Sequence, residues 1–209
     1  YEKFQLHKKI IANAINNKKQ KMITIAKNKL EEQNINVIYM DTDSCHIEIS
    51  NLIPEELVKK SNELSEELSK GYVNVVKKEY NIETKKSFEI EFESAFKTIL
   101  YIRKDDGKPA KKRYGARKFF DKGKYVDILY VRGFDMRRSD ASNYCKNLQE
   151  QVLRMILWDK PHEETIKYVQ DMIRGFKGAS LEDISIPKRN NKNISDYGQL
   201  NKNGKSGNI

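Results

Sequence analysis

The chain has 209 residues, which is enough for one compact domain or two small ones. Lys and Arg number 40 against 30 Asp and Glu, and the formal net charge of +10 favours a polyanionic partner. No run of apolar residues approaches the roughly 20 needed to span a membrane, so we expect no membrane partner. The two cysteines form no CxxC pair, which excludes a disulfide framework and a structural zinc site.

The first part of the chain predicts two helices on either side of a hairpin. Residues 4–30 carry apolar side chains at irregular helical spacing, and a second helix is expected to begin at Pro54, whose fixed φ suits a first helical position. Between these helices, the segments 37–40 and 45–49 are short and apolar. They flank a four-residue polar turn, as the strands of a β-hairpin do.

The remainder adds strands and then helices. Alternating apolar residues predict strands over 87–103 and 126–136. Ser139 or Asp140 is expected to cap a helix with an apolar stripe, and Pro161 to open another. Helices and strands mixed without βαβ regularity indicate an α+β fold with an antiparallel sheet. Near the end the sequence becomes rich in Asn, Lys and Gly, which predicts a mobile tail.

Most of the net positive charge lies between residues 101 and 139. This stretch holds thirteen Lys and Arg against five Asp, and aromatic residues are interleaved with them. A solvated face is the ordinary interpretation of a basic block, but interleaved aromatic residues favour nucleic-acid binding.

Two carboxylates, Asp41 and Asp43, stand at the tip of the predicted hairpin. Like charges this close repel each other unless a cation neutralises them, and hard oxygen ligands suit Mg²⁺ or Mn²⁺. Asp, Thr and Ser are also ordinary turn residues, so two Asp by themselves favour a plain polar turn.

Four segments, in order, resemble motifs of the B-family DNA polymerases. The stretch Tyr39-Met-Asp-Thr-Asp-Ser44 resembles the third palm motif, although Met40 stands where Gly or Ala is usual. Lys111-Lys-Arg-Tyr114 looks like the family's duplex-binding motif, and residues 132–140 are similar to the stretch that leads from the palm into the thumb. Residues 5–14 are similar to the finger-helix motif. The resemblance implies an α+β fold in which an antiparallel palm sheet is flanked by helices and followed by a helical thumb segment.

The same resemblance implies a division of the chain into four parts. Residues 1–30 would be the end of the fingers helix leading into the palm, 31–138 the palm, 139–190 the helical start of the thumb, and 191–209 a mobile tail. The family's first palm motif, which supplies another Asp, has no counterpart, and the chain begins without an initiator Met or a signal peptide. We therefore expect a truncated chain or a subunit of a split enzyme, located in the cytoplasm or a prokaryotic or viral replication compartment and not secreted.

Individual roles are also implied by the resemblance. Asp43 would be a direct ligand of two Mg²⁺ ions, for which Mn²⁺ is a possible substitute, and Asp41 an accessory catalytic carboxylate beside the metals. Lys9 would contact the triphosphate of a dNTP, and Asn13 would lie near the nucleotide. The residues expected to contact primer–template DNA are Lys111, Lys112, Arg113 and Tyr114. In a regular strand, Lys112 and Tyr114 would share one face.

The implied activity is template-directed nucleotidyl transfer from a dNTP to a primer 3′-hydroxyl by a two-metal mechanism. It would need the N-terminal part of the polymerase, with the exonuclease domain, first palm motif and fingers, as a partner. One departure leaves a rival open, because the finger motif here reads Asn13-Ala-Ile-Asn16-Asn17 instead of Asn-Ser-x-Tyr-Gly. The rival is a non-catalytic nucleic-acid-binding module derived from a polymerase palm. A metal nuclease would also use paired carboxylates, but it leaves the Lys-Lys-Arg-Tyr segment unexplained.

Overall fold

The computed structural model describes residues 9–81, 89–107 and 109–187. The chain separates into two compact units, the first comprising residues 1–96 and 118–127 and the second residues 97–117 and 128–209. The predicted tail over 191–209 and the part of the first predicted helix before Lys9 lie outside the described residues. No helix in these three described ranges is long and apolar enough to cross a bilayer.

Helices, strands and two short 3₁₀ turns follow one another in a mixed order. Over the described ranges the elements are α1 (Lys9–Glu32), β1 (Asn36–Met40), β2 (Cys45–Glu48), α2 (Pro54–Tyr80), β3 (Ser94–Arg103), β4 (Pro109–Asp121), β5 (Lys124–Arg132), a 3₁₀ turn (Asp135–Arg137), α3 (Asn143–Leu157), α4 (His162–Gly175), a second 3₁₀ turn (Phe176–Gly178) and α5 (Leu181–Ile184).

Helix α2 begins at the predicted residue, because the missing N–H of Pro54 would have no partner in a first turn anyway. The side chain of Glu56 accepts a hydrogen bond from the backbone N–H of Ile53 at 3.4 Å and supports this start. The helix ends at Tyr80, and the next residue, Asn81, has a left-handed φ of 51°, a conformation that Asn tolerates better than most residues.

The core of the first unit lies where α1, α2 and the hairpin meet. Its buried members are Ala26, Leu30, Leu64, Leu68 and Tyr72. The hairpin contributes half-buried apolar side chains from β1 and β2 to the same cluster. The hydroxyl of Tyr72 donates to the backbone carbonyl of Met22 at 2.7 Å, so α1 and α2 are joined by a hydrogen bond as well as by apolar contact. This packing fixes the base of the hairpin.

Strands β1 and β2 form the predicted antiparallel hairpin. Met40 pairs with Cys45 next to the turn, and Asn36 pairs with Glu48 at the end of the hairpin farthest from the turn. A register irregularity lies between Val37 and Tyr39. The backbone N–H of Asp41 donates to the Ser44 carbonyl at 2.9 Å, which closes the four-residue turn.

Strands β3, β4 and β5 form a sheet in chain order. The two residues that connect β4 to β5, Lys122 and Gly123, both have positive φ, at 45° and 84°, as a tight two-residue hairpin turn requires. In the second unit, Leu129, Val131 and Phe134 pack against two leucines of α3. The α+β class with antiparallel strands is thus confirmed, with helices following the sheet.

Three sequence predictions of boundaries were wrong. Helix α3 is capped by Ser142, whose Oγ accepts from the Cys145 N–H at 3.3 Å, and not by Ser139 or Asp140. Strand β3 begins at Ser94, so residues 89–93 of the predicted strand are not part of it, and residues 87–88 lie outside the described residues. Strand β5 ends at Arg132, four residues before the predicted end, because Gly133 turns the chain with a φ of 68°.

Candidate catalytic hairpin and nucleic-acid interface

The two carboxylates at the hairpin tip have different surroundings. Asp41 is half-buried, and its Oδ1 accepts from the backbone N–H of Thr42 at 2.8 Å and from the Thr42 hydroxyl at 3.3 Å. The Asp43 side chain is 67% exposed, and its Oδ2 lies 3.5 Å from the Nζ of Lys19. Asp43 therefore presents its oxygens to solvent, whereas one carboxylate oxygen of Asp41 accepts hydrogen bonds within the turn.

Aromatic packing supports the hairpin beneath these carboxylates. Tyr39 is buried, and its ring centroid lies 5.1 Å from that of His46, which in turn lies 5.7 Å from the ring of Phe96. Burial lowers the pKa of the His46 imidazole, and the negative charge of Asp41 opposes this only partly. Burial likewise raises the pKa of the Cys45 thiol. Both shifts favour the uncharged form of the side chain, so neither group adds charge beside the aspartates.

The lysine of α1 that lies beside the hairpin is Lys19, whereas the motif spacing selects Lys9. Lys9 and Asn13 are both exposed on α1. At a rise of 1.5 Å per residue, they lie about 15 Å and about 9 Å along the helix axis from Lys19. Lys19, beside Asp43, is a residue that the sequence analysis did not select, because on sequence alone it is one of many lysines on a Lys-rich helix.

A cavity of about 450 Å³ lies beside the same hairpin within the first unit. Its lining is mainly apolar, with Ile15, Met22 and Ile23 among the contributors from α1. Lys19 and Asp43, the charged pair already described, are also among its lining residues. The carboxylate site therefore adjoins an apolar surface of α1.

Lys111, Lys112 and Arg113 are exposed in succession on β4, followed by half-buried Tyr114. Lys112 has a φ of 59°, in the left-handed region that is unusual for a lysine. A residue in this conformation interrupts the two-residue alternation of a strand, as in a β-bulge. The expectation that Lys112 and Tyr114 share a face rested on strict alternation, which fails at this residue.

The segment Arg132-Gly-Phe-Asp, singled out separately in the sequence, lies directly against the basic segment. Arg113 donates from its Nε to the backbone carbonyl of Gly133 at 3.1 Å, and its guanidinium carbon lies 6.0 Å from the ring of buried Phe134. A Cβ atom on Gly133 would overlap the carbonyl oxygen of Lys112. Two motifs 20 residues apart are thus joined by a hydrogen bond, a ring contact and a close backbone approach.

Downstream of this contact, Arg138 forms a two-pronged ion pair with Asp140. Its Nε and Nη2 donate to the two carboxylate oxygens at 2.8 and 2.6 Å. The guanidinium lowers the pKa of the Asp140 carboxyl to about 2.

The donor set at the hairpin fits a hard divalent cation only in part. In residues 9–81, 89–107 and 109–187, no group of three or more His, Cys, Asp or Glu side chains is placed to hold a metal. Asp41 and Asp43 offer two carboxylates, and Mg²⁺ commonly takes one or two protein carboxylates together with water and substrate phosphates. Asp41 and Asp43 therefore fit a magnesium site that further ligands would complete.

Comparison with known proteins identifies the family. The model of DNA polymerase family B matches residues 3–204. The DNA polymerase alpha catalytic subunit of Xenopus laevis is 27% identical over 189 residues, which are 90% of this chain and 11% of that protein. The DNA polymerase of Archaeoglobus fulgidus is 27% identical over 169 residues, which are 80% of this chain and 18% of that protein. This chain belongs to DNA polymerase family B.

The fold agrees with this assignment. The solved structure of the family B DNA polymerase from the hyperthermophilic archaeon Pyrobaculum calidifontis superposes with a TM-score of 0.54 at 23% identity, covering 92% of this chain and 21% of that chain. The two proteins therefore share a fold. The chain spans between 11% and 18% of the length of the two curated relatives above.

Proposed function

We propose that this chain is the part of a DNA-directed DNA polymerase that carries the catalytic hairpin and a surface for duplex DNA. The observation that carries the proposal is the exposed carboxylate of Asp43 beside Asp41, at the tip of a hairpin whose base is buried, in a chain of DNA polymerase family B. The reaction is template-directed transfer of a nucleotide from a dNTP to the 3′-hydroxyl of a primer.

In this proposal Asp43 holds the divalent metal and Asp41 acts as the accessory carboxylate. Two Mg²⁺ ions, with Mn²⁺ as a substitute, would activate the hydroxyl and neutralise charge on the transferred phosphate. The hydrogen bonds from Thr42 to Asp41 keep the turn closed, so both carboxylates stay at the tip. The ion pair of Lys19 with Asp43 is exposed and therefore weak, so it does not prevent Asp43 from binding a cation.

Different segments of the chain are assigned to nucleotide binding and to duplex binding. Lys9 and Asn13 remain the proposed nucleotide contacts on the strength of the motif spacing, at the N-terminal end of α1. Lys111 and Lys112 are the proposed phosphate contacts for primer–template DNA, because both are exposed and cationic. Phosphate contacts position a duplex without reading its sequence, as a polymerase requires.

The proposal includes a partner that supplies the missing part of the metal site. The hairpin contributes two carboxylates, and the described residues form no larger ligand cluster. The N-terminal part of the polymerase, with the first palm motif and the fingers, would contribute the remaining ligand and most of the nucleotide site.

Primer extension tests the proposal directly. The chain alone, the complementary N-terminal part alone and the mixture of both would each be incubated with primer–template, Mg²⁺ and four dNTPs. We expect extension by the mixture only. No extension by the mixture, although both parts bind each other, would contradict a catalytic role, and extension by this chain alone would contradict the need for an outside ligand.

The second candidate is a non-catalytic nucleic-acid-binding module. The specific observation in its favour is the sequence Asn13-Ala-Ile-Asn16-Asn17, in which Asn16 replaces the Tyr usual at that position in the finger motif. This candidate predicts that the mixture binds primer–template DNA with undiminished affinity and incorporates no nucleotide, with either Mg²⁺ or Mn²⁺.

A further inference from the structure

One lysine of the basic stretch 101–139 is buried. The side chain of Lys118 on β4 is only 8% exposed, whereas Lys111 and Lys112 on the same strand are exposed. A buried ammonium group loses its hydration, so a folded protein keeps one only where other groups compensate for that loss. Lys118 is therefore not available to a nucleic acid as the exposed lysines are, and its charge needs another explanation.

Two polar side chains of the first unit hold the Lys118 ammonium. Its Nζ donates to Oδ1 of Asp121 at 2.9 Å, and the same oxygen accepts from the Oγ of Ser94 at 3.1 Å. The hydrogen bond from Lys118 lowers the pKa of the Asp121 carboxyl, so the carboxylate stays ionised opposite the ammonium. Because hydrogen bonds are directional, this ion pair fixes the position of the Lys118 head group.

Ring contacts connect this ion pair to the hairpin. The Nζ of Lys118 lies 6.0 Å from the centroid of the Phe96 ring, a distance at which a ring face still attracts a cation. The Phe96 ring lies 5.7 Å from that of His46 on β2, and the His46 ring lies 5.1 Å from that of Tyr39 on β1. Three successive contacts thus lead from Lys118 to both strands of the hairpin, and all of these residues belong to the first unit.

The last two rings of this series stand close to the carboxylates. Tyr39 precedes Asp41 by two residues, and His46 follows Asp43 by three. A displacement of these rings would therefore move the turn that carries both aspartates. Catalysis is sensitive to such movement, because a misplacement of about 1 Å caused by a distant substitution can lower a rate on the order of 10²-fold.

The choice of a charged residue at position 118 favours positioning over stability. An apolar side chain of similar volume in place of a buried charge is often neutral or stabilising, so a buried ion pair by itself is weak evidence for stabilisation. An apolar side chain lacks the hydrogen bond to Asp121, however, and would leave its own end free to move. The ion pair therefore supplies a fixed position beside Phe96 that an apolar residue would not.

We infer that Lys118, held by Asp121, is a positioning residue of the hairpin, since it keeps the Phe96 ring against His46 and thereby fixes where Asp41 and Asp43 lie. The inference rests on the proposed function, which gives the hairpin its catalytic role. The contact itself can be tested without activity.

The first measurement is the amide ¹H–¹⁵N NMR spectrum of the chain alone. The variants are Lys118→Met and Phe96→Leu, singly and together. The control is Lys27→Met, which removes another ion-paired lysine of the same unit, 3.5 Å from Glu31 on α1. We expect the amide signals of Thr42 and Asp43 in the turn to shift in Lys118→Met and in Phe96→Leu, and to stay in place in Lys27→Met.

The second measurement is single-turnover nucleotide incorporation by the reassembled polymerase. Lys118→Met should lower the rate about ten-fold in Mg²⁺ and less in Mn²⁺, which tolerates imperfect carboxylate geometry better, while duplex affinity stays at the wild-type value. The double variant should be no slower than the slower single variant, because both residues act through one contact. Lys27→Met should incorporate at the wild-type rate.

The outcomes separate this inference from the proposed function. Turn signals that stay in place in Lys118→Met would overturn the inference, and so would a double variant whose loss is the product of the two single losses. If the turn signals move but the wild-type mixture incorporates no nucleotide, the proposed function fails and the contact between Lys118 and the hairpin stands. Urea unfolding shows whether Lys118→Met is folded. If it is not, Phe96→Leu, which leaves the ion pair in place, decides by the same shift and the same loss of rate.

Discussion

The Nε–H of Arg113 donates to the backbone carbonyl of Gly133 at 3.1 Å, which joins the basic segment of β4 to the turn that ends β5. The same turn approaches the backbone of Lys112 so closely that only glycine fits at position 133. Arg113, one of four residues expected to contact DNA, therefore also makes a structural contact within the second unit.

Gly133→Ala should destabilise the chain more than a glycine replacement that has space around it. Gly133 and Gly107 both have positive φ, at 68° and 75°, but nothing lies within 4 Å of a Cβ built on Gly107. The left-handed backbone alone costs an alanine about 1–2 kcal/mol, and overpacking at Gly133 adds about 1–3 kcal/mol. Urea unfolding of the two variants measures the difference. Equal losses of unfolding free energy in the two variants would mean that the close approach of Gly133 to Lys112 does not affect stability.

The variant Arg113→Lys tests the structural contacts of Arg113 separately from its positive charge. Lysine keeps the positive charge but loses the Nε hydrogen bond to Gly133 and the flat contact with Phe134, so stability should fall by about 1 kcal/mol. The salt slope of duplex binding should stay at the wild-type value, because no charge is removed.

The variant Lys112→Asn is complementary to Arg113→Lys, because it removes a charge and leaves the backbone conformation accessible. Asparagine tolerates the left-handed φ of 59°, so the fold should be retained, while the loss of one charge should lower the salt slope by about one, equally for all duplex sequences. A loss of affinity that depends on the duplex sequence would contradict a phosphate contact.

Arg138→Gln should raise the pKa of the Asp140 carboxyl from about 2 back toward 3.8. The folded-state pKa lies below the unfolded one, so the pair stabilises the fold above pH 4 or so, and this contribution is lost as the pH falls toward about 2. Carboxyl ¹³C NMR titration measures the shift. Arg137→Gln serves as the control, since it removes an adjacent arginine, and an equal effect from both would contradict a specific pair.

Local chemistry decides which features could be predicted from the sequence. The fixed φ of Pro54 suits the first position of a helix, and the short apolar segments on either side of Asp41–Ser44 flank a polar turn, so both predictions were confirmed. Strand β4 was not assigned as a strand, because three consecutive exposed residues and a left-handed Lys112 break its alternation.

Features that depend on packing between distant segments could not be predicted in the same way. The contact of Lys19 with Asp43 joins residues 24 positions apart, and no local pattern distinguishes Lys19 from its neighbours on α1. The cap of α3 was expected at Ser139 or Asp140, and the structure has Ser142 in that role through its bond to the Cys145 N–H. The family motifs located the hairpin and the basic segment, but not the bond between Arg113 and Gly133.

Single-turnover incorporation by the reassembled polymerase tests the proposed role of the hairpin most directly, with Asp43→Asn and Asp41→Asn compared in Mg²⁺ and Mn²⁺. In Asp41→Asn, the amide oxygen can still accept from Thr42, so the turn should persist and the rate should fall less, with partial rescue by Mn²⁺. Asp43→Asn removes the exposed charged ligand, and the rate should fall on the order of 10²–10³-fold while duplex binding survives. A milder loss for Asp43→Asn than for Asp41→Asn would reverse the ligand assignment, and wild-type rates for both variants would show that the hairpin is only a turn.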